Sequence, residues 1–363
     1  MSEALSGPRA RIDLAALQHN LALARRHAPD AKLPAVIKAD AYGHGLLPVA
    51  RALADADALA VARLEEALRL REAGIRKDIV LLEGVNGAGE LRQAQQHGLQ
   101  PVVHRPDQIH MLQQAGGEAV SVWLKIDTGM HRLGFAPAEA AEAHRQLAAC
   151  AAVRGTPRLM THLACADERD NDFTRQQCRH FDAAVAGLAG EQSIANSAGL
   201  LGWPDTHRDW VRPGIMLYGA SPFADGSAAD LRPVMSLETA LIAVRDCRRG
   251  EPVGYGGRWR CPEDMRIGVA AIGYGDGYPR HAPDGTPVRV NGKPAAIAGR
   301  VSMDMIALDL RACPGARVGD PVLLWGHGET GEPLPVETIA ARAGTLSYEL
   351  FCRLTPRLRF VYA

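Results

Sequence analysis

The stretch PAVIKADAYGHG, residues 34–45, places a lysine directly after a short apolar run. Ala35, Val36 and Ile37 form that run, and a short apolar run bounded by turn-forming residues is typical of a buried strand. Lys38 follows at once, and small residues and glycines come after it. Lysines usually occupy polar helix faces, so a lysine at the end of a buried strand predicts a fold in which strand ends carry function.

The pattern of a short apolar run followed by a longer amphipathic segment recurs along the chain. Eight such runs cover residues 34–38, 58–62, 78–84, 100–104, 121–127, 158–163, 193–196 and 209–214. A helix-like stretch at residues 13–28 precedes the first run, with Asp13 as a suitable cap. Eight βα units within about 200 residues predict a closed parallel barrel of the TIM type. An open doubly wound sheet would fit six strands better, and no GxGxxG follows the first run.

The character of the chain changes after about residue 226. Residues 221–233 are polar and rich in turn formers, and alternating apolar runs cut by glycine and proline follow. Asn291-Gly292 between two such runs indicates a hairpin. A chain of 363 residues also exceeds the size at which one core stops growing. We therefore predict an α/β protein with a (β/α)8 barrel over residues 1–226 and a smaller, mainly β C-terminal domain over residues 227–363.

The composition excludes several classes of partner. The 41 basic and 41 acidic side chains give a formal net charge of +0, whereas proteins that bind nucleic acid or anionic membranes normally carry a basic excess. No apolar stretch is long enough to span a bilayer, and the N-terminus lacks the pattern of a secretory signal. The seven cysteines are scattered and include no CxxC pair. We expect reduced, mostly buried thiols in a cytoplasmic protein that acts on a small molecule.

Polar residues follow several of the predicted strands, at the end of a TIM barrel where chemistry takes place. They are Lys38, Lys125, Asp127, His162, Asn196, Ser197 and Arg212. A single lysine at such a place is usually a surface residue, and a single histidine is usually a hydrogen-bonded core residue. Polar residues at five strand ends that converge on one rim indicate a functional site. A lysine whose amine is desolvated there can form a Schiff base with an aldehyde cofactor or a carbonyl substrate.

The segments after the last two strands favour the aldehyde cofactor. NSAG, residues 196–199, offers a hydroxyl and backbone amides at a predicted helix start, and RPGI, residues 212–215, offers a glycine and further amides. Both suit an anion, and TIM barrels often bind phosphate at this position. For Ser197 alone, a plain helix cap is an equally good interpretation. A phosphate site together with a Schiff-base lysine indicates pyridoxal phosphate, PLP.

Nine motifs in the chain together resemble the bacterial alanine racemase family. They are AVIKADAYGHG, KIDTGMHRLGF, HLACAD, ANSAG, RPGIMLYG, VGYGGRW, GYGDGYPR, GRVSMDM and SYEL, which occur in this order from residue 35 to residue 350. The resemblance implies a PLP-binding barrel followed by a β domain, working as a head-to-tail homodimer with shared active sites. It also implies interconversion of L-alanine and D-alanine, which either supplies D-alanine for peptidoglycan precursors or helps to degrade it.

The resemblance also implies roles for residues that bind the cofactor. Lys38 would carry PLP as a Schiff base and act as one of two catalytic bases, and Arg212 would face the pyridine nitrogen. His162 would orient Arg212 and the second base. The phosphate group would be held by Tyr42, Ser197, Gly214, Ile215 and Tyr348.

Other implied roles concern the substrate. Tyr255 of the other subunit would be the second base, and Arg132 would steady the cofactor phenolic oxygen and the substrate carboxylate. Lys125 matches a family position that is often carbamylated and that braces Arg132. The remaining pocket residues would be Met303 and Asp304 of the other subunit, with Tyr274 of that subunit and Tyr348 at the entrance.

Elementary chemistry agrees with these roles. Racemisation needs a base on each face of the α-carbon, and the side chains of lysine and tyrosine, with reference pKa values of about 10, need help to act as bases at neutral pH. Desolvation would help Lys38, and a positive field from the His162–Arg212 pair would help Tyr255. Because a guanidinium keeps its proton, Arg212 should leave the pyridine nitrogen neutral, which suits proton exchange.

Several alternatives remain at the level of sequence. One alternative is another barrel-type PLP enzyme, but Arg212 argues against a decarboxylase, and the lack of a signal-peptide pattern argues against a broader periplasmic racemase. A PLP-binding protein without activity, or a Schiff-base aldolase, would leave residues 227–363 without a purpose. His327 in GHGETGEP suggests a metal ligand, but a glycine-rich surface turn is the simpler interpretation, so no metal is expected.

Overall fold

The computed structural model describes residues 7–228 and 230–363. In it the chain divides into two compact units. The barrel unit contains Leu17–Leu217 and Ser221–Leu231, and the β unit contains the segment that ends at Ala16, Tyr218–Ala220 and Arg232–Ala363. The fold is the predicted one, a parallel barrel followed by a mainly β domain. The exact boundary between residues 226 and 227 stays a prediction.

The first described elements are a strand, β1 (Arg9–Ile12), and a helix, α1 (Leu14–His27). The helix confirms the prediction for residues 13–28. Asp13 caps it, because its Oδ1 accepts a hydrogen bond of 2.8 Å from the backbone N–H of Ala16. The strand was not predicted, since its four residues, RARI, are too few to show an alternating pattern.

Seven short strands form the parallel sheet of the barrel, each paired with the next one along the chain. Most of their residues are buried, as expected for strands that are covered on both faces. They are β2 (Pro34–Val36), β3 (Ala58–Val61), β4 (Ile79–Leu81), β5 (Gln100–Val103), β6 (Trp123–Lys125), β7 (Arg158–Met160) and β8 (Gln192–Ser193).

The eighth predicted run closes the ring without forming a regular strand. Trp210 makes parallel bridges to Ser193 on one side and to Lys32 on the other. Further along, the backbone N–H of Val36 donates to the carbonyl oxygen of Pro213 at 3.0 Å. Proline has no N–H to donate, which limits this run to isolated bridges. The predicted eightfold barrel is therefore confirmed.

Helices lie between the barrel strands, as the amphipathic segments predicted. They are α2 (Lys38–Gly43), α3 (Leu46–Ala52), α4 (Leu64–Glu72), α5 (Ala88–Gln96), α6 (Pro106–Gln114), α7 (Ala140–Ala148), α8 (Phe173–Val185) and α9 (Ser197–Gly202).

The β unit is built on one sheet and a small hairpin. Its strands are β9 (Met235–Cys247), β10 (Pro252–Val253), β11 (Trp259–Arg260), β12 (Met265–Ala270), β13 (Pro287–Val290), β14 (Lys293–Ile297), β15 (Ile306–Asp309), β16 (Pro321–Trp325) and β17 (Arg359–Tyr362). Two helices, α10 (Val336–Ala343) and α11 (Ser347–Cys352), precede the last strand. The long strand β9 pairs with both β12 and β16, so six strands close into a ring, and β1 and β17 extend it.

The hairpin predicted at Asn291-Gly292 is present between β13 and β14. Both turn residues have positive φ, 50° for Asn291 and 72° for Gly292. Asparagine and glycine tolerate this conformation better than other residues, which is why the pair was a usable signal.

Three further observations concern residues 7–228 and 230–363. No helix there is long and apolar enough to cross a membrane. No group of histidine, cysteine and acidic side chains there is arranged to hold a metal ion. All seven cysteines are free thiols, but only Cys150, Cys261 and Cys313 are buried, so the expectation of mostly buried thiols was too strong.

Candidate active site

Lys38 stands at the start of a left-handed helical turn. The four residues after it, Ala39 to Tyr42, all have φ between 52° and 56°. This conformation costs an L-residue roughly 1–2 kcal/mol. Strain of this kind persists where the surroundings hold it, often at functional sites. Here the Glu66 carboxylate accepts from the backbone N–H of Ala39 at 2.6 Å, and Asp40 Oδ1 accepts from that of Leu46 at 3.1 Å.

The left-handed turn brings Tyr42 towards Gly214 of the eighth barrel segment. A Cβ atom on Gly214 would lie 2.7 Å from the Tyr42 hydroxyl and 3.8 Å from the Ser197 hydroxyl, so only glycine fits. The Ser197 hydroxyl accepts hydrogen bonds from the backbone N–H groups of Gly214, at 2.8 Å, and Met216, at 3.4 Å. Ile215 is buried and begins the 3₁₀ turn Ile215–Tyr218. Two hydroxyls and two amides therefore gather around Gly214, which has no side chain of its own.

The cap of helix α9 is Asn196, not Ser197. The Asn196 side chain accepts from the backbone N–H of Gly199 at 2.9 Å. The alternative interpretation of Ser197 as a plain helix cap is therefore wrong, and its hydroxyl faces the Gly214 segment instead.

Arg212 is only 5% exposed and is fixed by several partners. Its guanidinium donates to the hydroxyl of Ser193 at 2.5 Å and to the carbonyl oxygens of Thr161 at 2.6 Å and Ile194 at 3.1 Å. A longer contact of 3.4 Å reaches Nδ1 of His162. Burial lowers the pKa of Arg212 to about 10, so the guanidinium keeps its charge at neutral pH.

The neighbouring His162 is neutral. Its pKa lies well below the usual value because of burial first, and then because of the positive charges of Arg212, Lys125, Arg132 and Lys38. Since the Arg212 guanidinium can only donate, Nδ1 of His162 accepts and Nε2 carries the proton. The positive field expected from the His162–Arg212 pair therefore comes from Arg212 alone.

Lys125, at the end of β6, is 8% exposed. Burial, followed by the charges of Arg212, Arg132 and Lys38, lowers its pKa to about 8. At pH 7 roughly one in ten of such amines is neutral, and a neutral amine is a nucleophile. Lys125 is thus chemically unlike an exposed surface lysine.

Arg132 lies on the loop that follows β6. This loop returns to the strand through a hydrogen bond of 2.9 Å from Phe135 N–H to the Lys125 carbonyl oxygen. The Asp127 carboxylate accepts from the backbone N–H groups of Gly129 and His131 at 2.9 and 3.0 Å. These hydrogen bonds fix the backbone of the loop from which the exposed Arg132 side chain extends.

The barrel residues together form an electropositive rim. Four cations, Lys38, Lys125, Arg132 and Arg212, interact electrostatically around the neutral His162. Such a rim suits a ligand with more than one negative group, for example a phosphate and a carboxylate. Three residues that no motif indicated also shape the rim: Glu66 holds the backbone next to Lys38, and Ser193 and Thr161 hold Arg212. Their roles leave no motif in the sequence, because each depends on a hydrogen bond to a residue that is distant along the chain.

Five other expected site residues lie in the β unit: Tyr255, Tyr274, Met303, Asp304 and Tyr348. The loops of Tyr274 and Met303 are joined, because the backbone N–H of Gly275 donates to the Met303 carbonyl oxygen at 2.8 Å. Tyr255 stands on a separate 3₁₀ turn, Tyr255–Gly257, and Tyr348 on α11. Large apolar side chains are unusually exposed here: Tyr255 by 69%, and also Met303, Met305, Leu346 and Tyr348.

Comparison with known proteins gives a consistent result. Residues 12–222 match the family model for the alanine racemase N-terminal domain, and residues 234–362 match that for the C-terminal domain. A curated alanine racemase of Aeromonas hydrophila is 54% identical over 358 residues, which cover 97% of this chain and 98% of that protein.

Solved structures agree with the sequence matches. The biosynthetic alanine racemase of Pseudomonas aeruginosa superposes with a TM-score of 0.94 at 48% identity, covering 98% of this chain and 99% of that one. The alanine racemase of Acinetobacter baumannii gives a TM-score of 0.91 at 37% identity, with coverage of 98% and 99%.

Proposed function

Because the chain belongs to the alanine racemase family of isomerases, we propose that it interconverts L-alanine and D-alanine with PLP as its cofactor. Lys38 and Tyr255 of a second subunit are the two bases of this proposal. The observation that carries it is the electropositive rim, where Lys38 and the buried Arg212 both act on His162 and where hydroxyls and amides gather around Gly214. Its test is the appearance of D-alanine when the purified protein is incubated with L-alanine.

The donor groups of the barrel rim fit PLP. Lys38 supplies the amine for the aldehyde, and Arg212 supplies a donor for the pyridine nitrogen. The phosphate would lie beside Gly214, where the Tyr42 and Ser197 hydroxyls converge and the Ser197 hydroxyl is held by two backbone amides. PLP supplies an electron-withdrawing ring that makes the Cα proton of an attached amino acid acidic enough to move. Ile215 completes the proposed phosphate contacts of the barrel unit.

Proton transfer at Cα is the task of two side chains in this proposal. Lys38 Nζ takes or gives the proton on one face of Cα, and Tyr255 Oη does so on the other. His162 donates from Nε2, since its Nδ1 is turned to Arg212, and it orients the second base. Arg132 binds the substrate carboxylate, which fixes Cα between the two bases.

The buried Arg212 decides how strongly the cofactor withdraws electrons. Its pKa of about 10 is well above that of a pyridinium, so Arg212 would donate a hydrogen bond to the pyridine nitrogen of PLP and would keep its own proton. Arg212→Glu should let the nitrogen protonate, slow racemisation by about tenfold or more and increase the share of pyruvate formed by transamination. Chiral chromatography and a pyruvate assay measure the two products. The control is Arg212→Lys, which keeps a positive charge at this position and should not raise the share of pyruvate. An Arg212→Glu protein with an unchanged ratio of pyruvate to D-alanine would contradict this role.

Lys125 is proposed to be carbamylated. Its neutral amine would add to carbon dioxide with loss of one proton. The resulting carbamate is an anion, and it would form an ion pair with Arg132 where a lysine ammonium would be repelled by the neighbouring cations. Because only the neutral amine reacts, occupancy at a fixed carbon dioxide pressure should rise as the pH rises towards about 8. Carbon-13 NMR with labelled carbon dioxide should show a carbamate signal that Lys125→Arg abolishes. A signal that survives this substitution would place the modification elsewhere.

A homodimer is proposed because the β unit presents the exposed side chains of Tyr255, Met303, Met305, Leu346 and Tyr348. We propose that a second chain covers these exposed apolar side chains. In a two-fold dimer the β unit of one subunit would complete the barrel rim of the other. The seven free thiols fit the cytoplasmic location that we propose, since disulfides are rare there.

A further inference from the structure

Arg357 joins two loops of the β unit that carry expected substrate-lining residues. One loop is Gly273–Gly277, which contains Tyr274, and the other is Ser302–Met305. The two loops already touch through backbone hydrogen bonds, from Tyr274 N–H to the Ser302 carbonyl oxygen at 3.0 Å and from Gly275 N–H to that of Met303 at 2.8 Å. Arg357 adds a contact between their side chains.

The Arg357 guanidinium bridges one carboxylate from each loop. Its Nη2 donates to Asp304 Oδ1 at 2.7 Å, and its Nε lies 3.3 Å from Asp276 Oδ1. The Asp276 side chain is 3% exposed, and its other oxygen accepts from the backbone N–H of Gly273 at 2.9 Å. Asp304, in contrast, is half exposed. One guanidinium therefore ties an exposed carboxylate to a buried, fixed one.

The position of the guanidinium is defined by the backbone around it. A Cβ atom on Gly275 would lie 2.3 Å from Arg357 Nη1, so the guanidinium rests directly on this glycine. Thr355 holds the chain that leads to Arg357, because its hydroxyl donates to the Gly275 carbonyl oxygen at 3.0 Å and its N–H to that of Asp276 at 3.2 Å. A side chain at position 275 would therefore have to displace the guanidinium from its place between the two carboxylates.

Loss of Arg357 would leave two like charges facing each other. Asp276 cannot move, since it is buried and bonded, so Asp304 and the loop that carries it would move away. The half of the bridge that reaches the half-exposed Asp304 adds little to stability. The buried Asp276 keeps its hydrogen bond from the Gly273 N–H when Arg357 is removed. We therefore expect Arg357 to affect the position of the Ser302–Met305 loop more than the stability of the fold.

We propose that Arg357 is a positioning residue that fixes the substrate-lining surface formed by Tyr274, Met303 and Asp304. This inference rests on the proposed function, in which these residues complete the alanine site of the second subunit. Arg357 touches neither substrate nor cofactor in this proposal; it acts through Asp304 and Asp276.

The test is steady-state kinetics of Arg357→Gln and Arg357→Lys with L-alanine. A displaced loop should raise KM about tenfold in Arg357→Gln while kcat falls less than about threefold, because Lys38, Arg212 and Tyr255 stay in place. Arg357→Lys should give an intermediate KM, since an ammonium can reach one carboxylate but cannot bridge both. The matched control is Arg311→Gln, because Arg311 is similarly exposed and also bonds two carboxylates, of Asp309 and Glu263, away from both loops.

Hydrogen exchange supplies a readout that does not depend on activity. The amides of Gly273–Gly277 and Ser302–Met305 should exchange faster in Arg357→Gln and not in Arg311→Gln. Equal KM values for wild type and Arg357→Gln, or an equal rise in the Arg311→Gln control, would overturn the proposal. If the wild-type protein fails to convert L-alanine, the proposed function is wrong. Separately, unchanged amide hydrogen exchange in the two loops of Arg357→Gln would show that Arg357 does not hold them.

Discussion

Replacing Lys38 with alanine is expected to abolish racemisation. Lys38 is proposed both to link the cofactor and to move the Cα proton, and loss of a catalytic base alone typically costs about 10²–10⁴-fold in rate. Loss of the covalent linkage adds to this, so kcat should fall by at least about 10⁴-fold. The same variant should lose the visible absorption that a lysine-linked PLP gives to the wild type.

Borohydride reduction makes the assignment of Lys38 independent of rate measurements. Reduction should fix the cofactor on the wild-type chain, and peptide mapping should find it on Lys38. Lys125 is the other lysine of the rim, and Lys293 is a lysine of the β unit that serves as a control. A label on Lys125 or Lys293, or wild-type activity in Lys38→Ala, would contradict the account.

Mixing two inactive variants is expected to restore activity if each site uses two chains. Lys38→Ala and Tyr255→Phe should each inactivate both sites of their own homodimer. After subunit exchange, a mixed dimer has one site that lacks both bases and one that has both. Random exchange makes half of the dimers mixed, so activity should return to about a quarter of the wild-type value per site.

The mixing experiment also distinguishes between sites within one chain and sites between chains. If Lys38 and Tyr255 of the same chain worked together, no mixture could assemble a complete pair. A tagged wild-type subunit confirms that exchange takes place under the conditions used. Confirmed exchange without recovery of activity would therefore remove the shared site, although the exchange itself would show that the subunits associate.

The barrel was predictable because its strands are buried on both faces. Seven of the eight apolar runs became regular parallel strands, and helices occupy the segments between them. The eighth run was predicted as a strand and forms bridges at Trp210 only, because Pro213 interrupts its hydrogen bonding. The short strand β1 escaped prediction, since its pairing with β9 and β17 depends on residues more than 200 positions away.

The conformation around Lys38 could not be predicted from local sequence. Residues 39–42 are Ala-Asp-Ala-Tyr, and none of them favours positive φ as glycine does. Their left-handed turn depends on hydrogen bonds that include the carboxylate of Glu66, which is distant in sequence. Local preference was overridden by tertiary contacts, as is common at functional sites.

The electrostatics of the rim needed the structure as well. The sequence predicted that Lys38, Lys125, His162 and Arg212 would meet at the strand ends, because parallel strands share an edge. It could not predict that His162 is neutral, since that follows from burial and the surrounding cations. Nor could it predict that Ser193 and the Thr161 carbonyl group hold Arg212.

The central claim is that the protein exchanges the Cα proton of alanine on both faces. The most direct measurement incubates the purified, PLP-loaded protein with L-alanine in deuterium oxide and follows both enantiomers by chiral chromatography and mass spectrometry. Because enantiomers have equal free energy in an achiral solvent, we predict equal amounts of L-alanine and D-alanine at equilibrium, with deuterium at Cα, from either starting enantiomer. Ethylamine as the product would indicate a decarboxylase. L-alanine that remains unconverted and undeuterated, in a protein shown to carry PLP on Lys38, would contradict the account.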